Sequence, residues 1–388
     1  MTDLHQPNTV PNKLYGLDHL RALAITIVFL YHYRQFEHPG WIPKIGKFGW
    51  TGVDLFFVLS GYLIASQLFA RINKGKPVGL KTFFLKRVFR IIPAYLVAVS
   101  LYFCIPAFRE KEALPPLWKF LTFTQNFGLD VQQQGTFSHA WSLCIEEQFY
   151  LVLPFLLVLL VSFKALPKGF FILIGLFLAG FIIRIYNWHY LVAPQTEPAA
   201  FSMAWYRYIY YPTYSRLDGL LAGVSIAAIF AFLPSLRAIF LKHGYLFLVS
   251  SLVVLGIGYF LTTDTQTFRH TVFGFPTVSI GYGLLVISSL SPITFLYQIR
   301  SRITEKIAAL SYAIYLTHKG IIHLTQEYGT QLGLAPNGTV MFFLCAATAF
   351  LAALLLNIVI EKPFLKLRDR VLQSRQPQSK SLLEAAHY

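Results

Sequence analysis

Charged side chains are scarce in this sequence, at 13% of 388 residues, whereas 55% of the residues are hydrophobic and 16% are aromatic. A soluble domain of this length carries more charge, so the composition excludes one. Apolar runs of about 17–25 residues recur along the chain, and this length crosses a bilayer as a helix. The sequence therefore predicts an all-α, polytopic membrane protein.

Acidic residues are the scarcer charged group, because 17 Asp and Glu stand against 33 Lys and Arg, for a net charge of +16. In a soluble protein this excess would indicate nucleic acid, but here basic loops on one side of a membrane explain it better. With a cytoplasmic amino terminus, roughly 22 of the 33 basic residues lie on the inner side. We therefore expect both termini in the cytoplasm and no nucleic-acid partner.

Cysteine is also rare, with Cys104, Cys144 and Cys345 showing no paired metal-ligand spacing. No metal is expected, and free thiols are the default, although a disulfide between Cys104 and Cys144 stays open. The sequence has no phosphate-binding glycine loop, no Gly-x-Ser-x-Gly elbow and no small-residue cleavage site after its first apolar run. The first helix is therefore expected to be retained.

Ten membrane spans are predicted within a single membrane domain of residues 1–375, followed by a polar, disordered tail at 376–388. A long polar insert at 106–142 separates the third and fourth spans, and its apolar segment 117–127 is too short to cross the bilayer. The spans are placed at about 17–36, 52–69, 88–105, 143–163, 170–190, 215–233, 245–261, 275–296, 307–324 and 339–360.

The first span carries two ionisable residues eleven positions apart, Arg21 and His32. At about 100° and 1.5 Å per residue, they lie within roughly 20° of each other and about 16 Å apart along the helix. Arg87 and Arg90 are three positions apart where the third span begins, so they share a face and could clamp phosphates with Arg21. Alternatively, together with Lys86 they only anchor the helix at the inner membrane surface, and spacing does not decide between the two.

A second set of ionisable residues is predicted near the outer surface. His32 and Asp54 fall at similar depth, so a carboxylate could orient the imidazole as a general base. The alternatives are that His32 only hydrogen-bonds a neighbouring helix and that Arg216 and Asp218 form a structural ion pair. The other members at this level are Glu146, Glu147, His318 and Lys319.

Seven stretches stand out as a set: 17–24 (LDHLRALA) running on to His32, 52–61 (GVDLFFVLSG), 87–93 (RVFRIIP), 141–150 (WSLCIEEQFY), 215–220 (SRLDGL), 310–318 (LSYAIYLTH) and 361–364 (EKPF). Together and in this order they resemble the acyltransferase 3 family of integral-membrane O-acyltransferases, of the O-antigen or surface-polysaccharide O-acetylase type. The resemblance runs from about residue 14 to 370. It departs at His19, where the family commonly has glycine, and in lacking the additional soluble domain of some members.

The resemblance implies an enzyme of the bacterial inner membrane that moves an acyl group, usually acetyl, from cytoplasmic acyl-CoA to a hydroxyl of an extracytoplasmic carbohydrate such as lipopolysaccharide. Its functional positions fall here on Arg21, His32, Arg87 and Arg90. We expect the three arginines to bind acetyl-CoA and His32 to be catalytic. The carboxylate of Asp54 or Glu146 is expected to orient the His32 imidazole. Direct transfer and an acyl-histidine relay both stay open.

Two other classes of function fit buried charges in a helical membrane protein: a transporter or flippase for a glycan or lipid-linked intermediate, and a sugar-polymer ligase. The sequence shows no detectable inverted repeat, which argues against the transporter. Acceptor specificity is expected from outer loops 106–142 and 190–212. Aromatic residues in these loops suit stacking on a sugar, but aromatic residues also collect at membrane interfaces, and we favour the second explanation. These residues are Trp118, Phe123, Phe127, Trp205 and Tyr206.

Overall fold

The computed structural model describes residues 14–373. Within this range the chain forms helices and turns without strands, so the all-α prediction is confirmed. The predicted tail at 376–388 lies outside the described residues. The ten longest helices are α1 (Tyr15–Tyr33), α2 (Gly52–Asn73), α3 (Leu80–Cys104), α4 (Trp141–Ser162), α5 (Gly169–Asn187), α6 (Asp218–Phe232), α7 (Gly244–Leu261), α8 (Phe275–Leu290), α9 (Arg302–Gln331) and α10 (Thr339–Leu356).

Each predicted span corresponds to one of these helices. In the described part of the chain, seven helical segments are long and apolar enough to cross a membrane. An eighth is formed if α6 is joined to the short helix Pro234–Lys242, which bends away from it by 111°. The class of polytopic membrane protein is therefore supported. The count of ten spans and the cytoplasmic placement of both termini stay predictions.

Two helices extend well beyond their apolar cores. α3 begins at Leu80, directly after the left-handed Gly79, and α9 covers Arg302–Gln331 rather than 307–324. Hydropathy detects only the apolar part of a helix, whereas its backbone hydrogen bonds continue through polar residues. Arg87 and Arg90 consequently lie inside α3 and not at its start.

The closest helix crossing joins α2 and α6. A Cβ atom at Gly61 would lie 2.2 Å from the carbonyl oxygen of Leu220, and one at Gly223 would lie 2.2 Å from that of Val58. Only glycine allows backbones to approach this closely. Gly61 and Gly223 therefore allow the close packing of α2 against α6.

The long insert between α3 and α4 packs onto the bundle. Its apolar segment contains one short helix, Leu117–Leu121, whose Phe120 is fully buried. The Tyr95 hydroxyl of α3 donates to the carbonyl oxygen of Phe120 at 3.1 Å. A buried ion pair of 2.9 Å between Lys319 of α9 and Glu110 anchors the insert near the middle of α9.

His19 has a defined packing role. Its Nδ1 lies 2.7 Å from the hydroxyl of Thr304, and its Nε2 lies 2.9 Å from the carbonyl oxygen of Ile299. The ring therefore joins α1 to the beginning of α9. A glycine at this position has no side chain to make these contacts.

Gly223→Ala is expected to lower the free energy of unfolding by about 1–3 kcal/mol, because the added methyl group must separate α2 from α6. Thermal unfolding of the detergent-solubilised protein measures the effect. Gly256→Ala is the matched control, since a Cβ there meets no atom within 4 Å. Equal stability of the two variants would show that the α2–α6 crossing tolerates separation.

Candidate active site

A cavity of about 590 Å³ opens beside the first half of α1. Among the described residues, its lining contains six cationic side chains and only two carboxylates, Glu146 and Glu147. The structure brings together Arg21, Arg87 and Arg90, as the sequence predicts. The other cations are Arg71, Lys86 and Arg368. This excess of positive charge in a confined space is suited to a ligand with several phosphates.

Aromatic and carboxylate groups hold the arginines in the cavity. The Arg87 guanidinium lies over the ring of Tyr150, 4.7 Å from its centroid. Tyr150 in turn donates its hydroxyl to Glu146 at 3.1 Å. Arg21 is 3.5 Å from Asp18, one turn earlier on α1. These contacts reduce the side-chain freedom that a bound ligand would otherwise have to restrict.

Two hydroxyl groups line the end of the cavity that lies nearest the histidines. Ser142 and Tyr315 line it, and their oxygens are 2.7 Å apart. The Tyr315 hydroxyl also donates to the carbonyl oxygen of His139. The Tyr315 ring centroid is 5.5 Å from that of His139 and 6.0 Å from that of His318. The cavity thus ends on polar groups directly beside a cluster of imidazoles.

Three buried histidines from separate parts of the chain form this cluster: His32 at the end of α1, His139 before α4 and His318 on α9. Their ring centroids are 4.9–5.6 Å apart. Nδ1 of His32 lies 2.9 Å from Nε2 of His318. Both ring nitrogens of His139 lack hydrogen-bond partners in the described part of the protein. Among the described residues, no group of three or more His, Cys, Asp or Glu side chains is placed to hold a metal ion.

Hydrogen bonding sets the proton positions in this pair. Nδ1 of His318 lies 2.9 Å from the carbonyl oxygens of Ile314 and Tyr315, which only accept, so this nitrogen carries the hydrogen. In a neutral His318, Nε2 then accepts, and Nδ1 of His32 donates to it. A neutral His32 is left with its lone pair on Nε2, as a general base requires.

The orienting carboxylates expected for His32 are engaged elsewhere. Asp54 accepts two hydrogen bonds from Arg216, at 2.9 and 3.1 Å. The oxygens of Glu146 accept from the hydroxyls of Ser60 and Tyr150. The structure therefore does not bring His32 together with either carboxylate, because Arg216 and the hydroxyl groups engage both candidates.

Arg216 and Asp218 do not pair with each other, as the structural alternative supposed, but each forms a structural pair with another residue. Asp218 pairs with Arg184 of α5 at 2.7 Å, and all four charged residues are at most 3% exposed. The guanidinium carbon of Arg216 lies 4.0 Å from the ring centroid of Phe275 and 4.8 Å from that of Tyr210. The Arg216–Asp54 pair is thus an internal structural link between α2 and the start of α6.

Sequence reasoning missed one member of the histidine cluster, His139. It included His318 only as one of several ionisable residues at the same predicted depth as His32. The stretch 310–318 contained a usable signal, because Tyr315 and His318 are three positions apart and share a helix face. His139 lies in the insert, where no periodic pattern predicts which side chains point inward.

The fold and this site define a polytopic helical membrane protein with a cationic cavity leading to a buried histidine cluster. Residues 14–358 match the acyltransferase 3 family, described as an acyltransferase domain. The chain belongs to this family, so the family resemblance seen in the sequence is confirmed. No solved structure matches the chain.

Curated relatives of the chain are named as O-acetyltransferases. It is 30% identical over 332 residues to the peptidoglycan O-acetyltransferase OatA of Listeria monocytogenes, covering 80% of this chain and 49% of that protein. It is 30% identical over 379 residues to a putative O-acetyltransferase of Staphylococcus aureus strain COL, covering 90% of this chain and 57% of the relative. An O-acetyltransferase OatA of S. aureus is 26% identical over 341 residues, with coverages of 83% and 52%. The chain thus spans about half the length of these relatives.

Asp54→Asn is expected to lower the free energy of unfolding by about 3–5 kcal/mol, because it leaves the buried Arg216 without a counter-ion. Asp54→Leu combined with Arg216→Met removes both charges and should recover much of the loss. Thermal unfolding in detergent measures both variants. Asp264→Asn is the control, since it breaks an exposed pair with Arg269 and should cost less than about 1 kcal/mol. A double variant that is less stable than Asp54→Asn would contradict this account.

Proposed function

We propose that the protein is a membrane O-acetyltransferase that uses acetyl-CoA as donor and a hydroxyl of an extracytoplasmic carbohydrate as acceptor. The observation that carries this proposal is the hydrogen-bonded pair of His32 and His318, which leaves Nε2 of His32 as a base beside a cationic cavity. The names of the relatives support O-acetyl transfer as the reaction.

The donor would bind in the cationic cavity. Acetyl-CoA has three phosphates near its nucleotide and supplies the acetyl group as an activated thioester. Arg21, Arg87 and Arg90 would bind phosphate oxygens. Ser142 and Tyr315 close the end nearest the histidines, so they must separate for the pantetheine arm to pass. The basic residues near this cavity support its cytoplasmic placement, because loops rich in Lys and Arg are retained on the cytoplasmic side of the membrane.

His32 would act on the acceptor hydroxyl. In direct transfer, the hydroxyl oxygen bonds to the thioester carbonyl carbon while its proton passes to Nε2 of His32. The carbon–sulfur bond breaks, and the leaving sulfur takes the proton from His32 to form the thiol. His318 keeps His32 in the reactive tautomer, which places His318 among the positioning residues.

An acyl-histidine relay would use the same nitrogen as a nucleophile. Mass spectrometry of protein quenched during turnover separates the two routes, since only the relay leaves an acetyl group on His32. The transporter alternative gains no support from the relatives, whose names describe acetyl transfer.

Acetyl-CoA is expected to raise the thermal unfolding temperature of the detergent-solubilised protein. Ligand at 100 times its dissociation constant adds about 2.7 kcal/mol to the stability of the native state. Arg87→Gln combined with Arg90→Gln should remove most of this increase, because two phosphate-binding cations are lost. Lys81→Gln is the control: this exposed residue of α3 lies outside the cavity lining. An undiminished increase in the double variant would refute the assigned donor site.

His32→Ala is expected to reduce the transfer rate by about 10²–10⁴-fold while the stabilisation by acetyl-CoA is kept. Release of free thiol from acetyl-CoA, measured with and without carbohydrate, reports the rate. His323→Ala is the control, because this histidine of α9 is partly exposed and pairs with Glu327. Transfer by His32→Ala at the wild-type rate would exclude both the direct route and the relay.

A further inference from the structure

A second cavity, of about 280 Å³, lies at the opposite end of α1 from Arg21. One of its walls is Tyr31, the neighbour of His32 in sequence. The ring centroids of these two residues are 5.5 Å apart. The histidine cluster therefore has a cavity near each side, the cationic one ending at Tyr315 and the second one beginning at Tyr31.

Aromatic rings make up much of the second cavity. They come from the turn before α2, from the end of the short helix Pro198–Trp205 and the segment after it, and from the end of α7. They include Trp50, Trp205, Tyr206, Tyr210 and Tyr259. Carbohydrates bind to such surfaces, because the apolar C–H face of a sugar ring stacks on an aromatic ring while its hydroxyl groups need polar partners.

Two cations also line the second cavity, Arg34 and Lys47, and the described residues of its lining include no carboxylate. Nε of Arg34 is buried without a hydrogen-bond partner. Its guanidinium carbon lies 5.7 Å from the ring centroid of Tyr31. Neither cation forms an ion pair with a carboxylate in the described part of the chain, so both can bind an anion.

His270 adds an unsatisfied polar group to the same cavity. Its side chain is 2% exposed, and neither ring nitrogen has a hydrogen-bond partner among the described residues. The ring lies between Trp50 and Trp205, at centroid distances of 5.2 and 5.4 Å. A buried polar group without a partner is unfavourable, and a ligand hydroxyl in the cavity would supply one.

We propose that the second cavity is the acceptor site and that it selects carbohydrates bearing a negatively charged group. This inference rests on the proposed function, because it assigns the substrate class of the same reaction. Tyr206 stacks on the sugar, His270 bonds a hydroxyl, and Arg34 and Lys47 bind the anion. The sugar hydroxyl that is to be acetylated then passes the side of Tyr31 to reach His32.

The proposal divides the aromatic residues that the sequence grouped together. Trp205 and Tyr206 line the second cavity, whereas Trp118 is 58% exposed and lines neither cavity. We therefore assign sugar stacking to Tyr206 and keep the membrane-interface explanation for Trp118.

Quenching of tryptophan fluorescence in the purified full-length protein tests the site. The probes are hyaluronan tetrasaccharide, which carries glucuronate, and chitotetraose as its uncharged counterpart. The charged probe is expected to bind at least tenfold more tightly. Phosphate-bearing sugars share this chemistry, so N-acetylglucosamine 6-phosphate is compared with N-acetylglucosamine to show which anion is preferred. Equal binding of charged and uncharged probes in both comparisons would overturn the proposal.

Arg34→Gln combined with Lys47→Gln should abolish the preference for the charged probe. Lys44→Gln is the matched control, because this exposed residue lies three positions before Lys47 and outside the cavity lining. Tyr206→Ala should weaken binding of both oligosaccharides, whereas Tyr208→Ala, in the same turn but outside the lining, should not. A preference that survives the loss of both cations would overturn the assigned anion site.

Stabilisation by acetyl-CoA, measured on the same samples, separates this inference from the proposed function. All four variants should keep it, since none of the changed residues lines the donor cavity. Stabilisation by acetyl-CoA without selective binding of charged sugars would reject only the acceptor site. Selective binding of charged sugars without any response to acetyl-CoA would refute the acetyltransferase proposal and retain the carbohydrate site.

Discussion

The cost of burying charge in a helical membrane protein shapes this molecule more than any other constraint. Arg216 with Asp54 and Arg184 with Asp218 are almost completely removed from solvent, and each would be strongly unfavourable alone. Arg216 gains further contact with aromatic rings, including that of Phe275. The two pairs tie α2, α5 and the beginning of α6 together, and the close glycine crossing of α2 and α6 lies next to them.

The architecture places groups of different chemistry in sequence along α1. Arg21 faces a cavity rich in cations, His32 belongs to the imidazole cluster, and Tyr31 faces the aromatic cavity beyond it. This order matches a reaction in which donor and acceptor approach a central base from opposite sides. Ser142 and Tyr315 stand between the cationic cavity and the imidazoles, and their hydroxyl groups are hydrogen-bonded to each other.

A histidine partner has a different effect from the carboxylate that the sequence predicts. A carboxylate would stabilise a positively charged His32, whereas His318 orients the ring without adding negative charge. The backbone carbonyls of α9 hold His318 in one tautomer, so the helix itself determines which nitrogen of His32 carries the lone pair. Lys319, the next residue, forms an ion pair with Glu110 of the insert, so its positive charge does not act unpaired on the cluster.

Local properties of the sequence were sufficient for the all-α class and for the approximate positions of the ten long helices, because both depend on hydropathy along a short stretch of chain. The family followed from seven motifs in order, and the expectation that Arg21, Arg87 and Arg90 act together was an implication of that resemblance. The partners of His32, Asp54 and Glu146 were decided only by tertiary structure, because two residues at similar depth on different helices can still face different neighbours. Which carboxylate meets which arginine depends on the rotation of every helix about its own axis. The same reason applies to the second cavity, whose aromatic and cationic residues come from distant segments that only the packed bundle brings together.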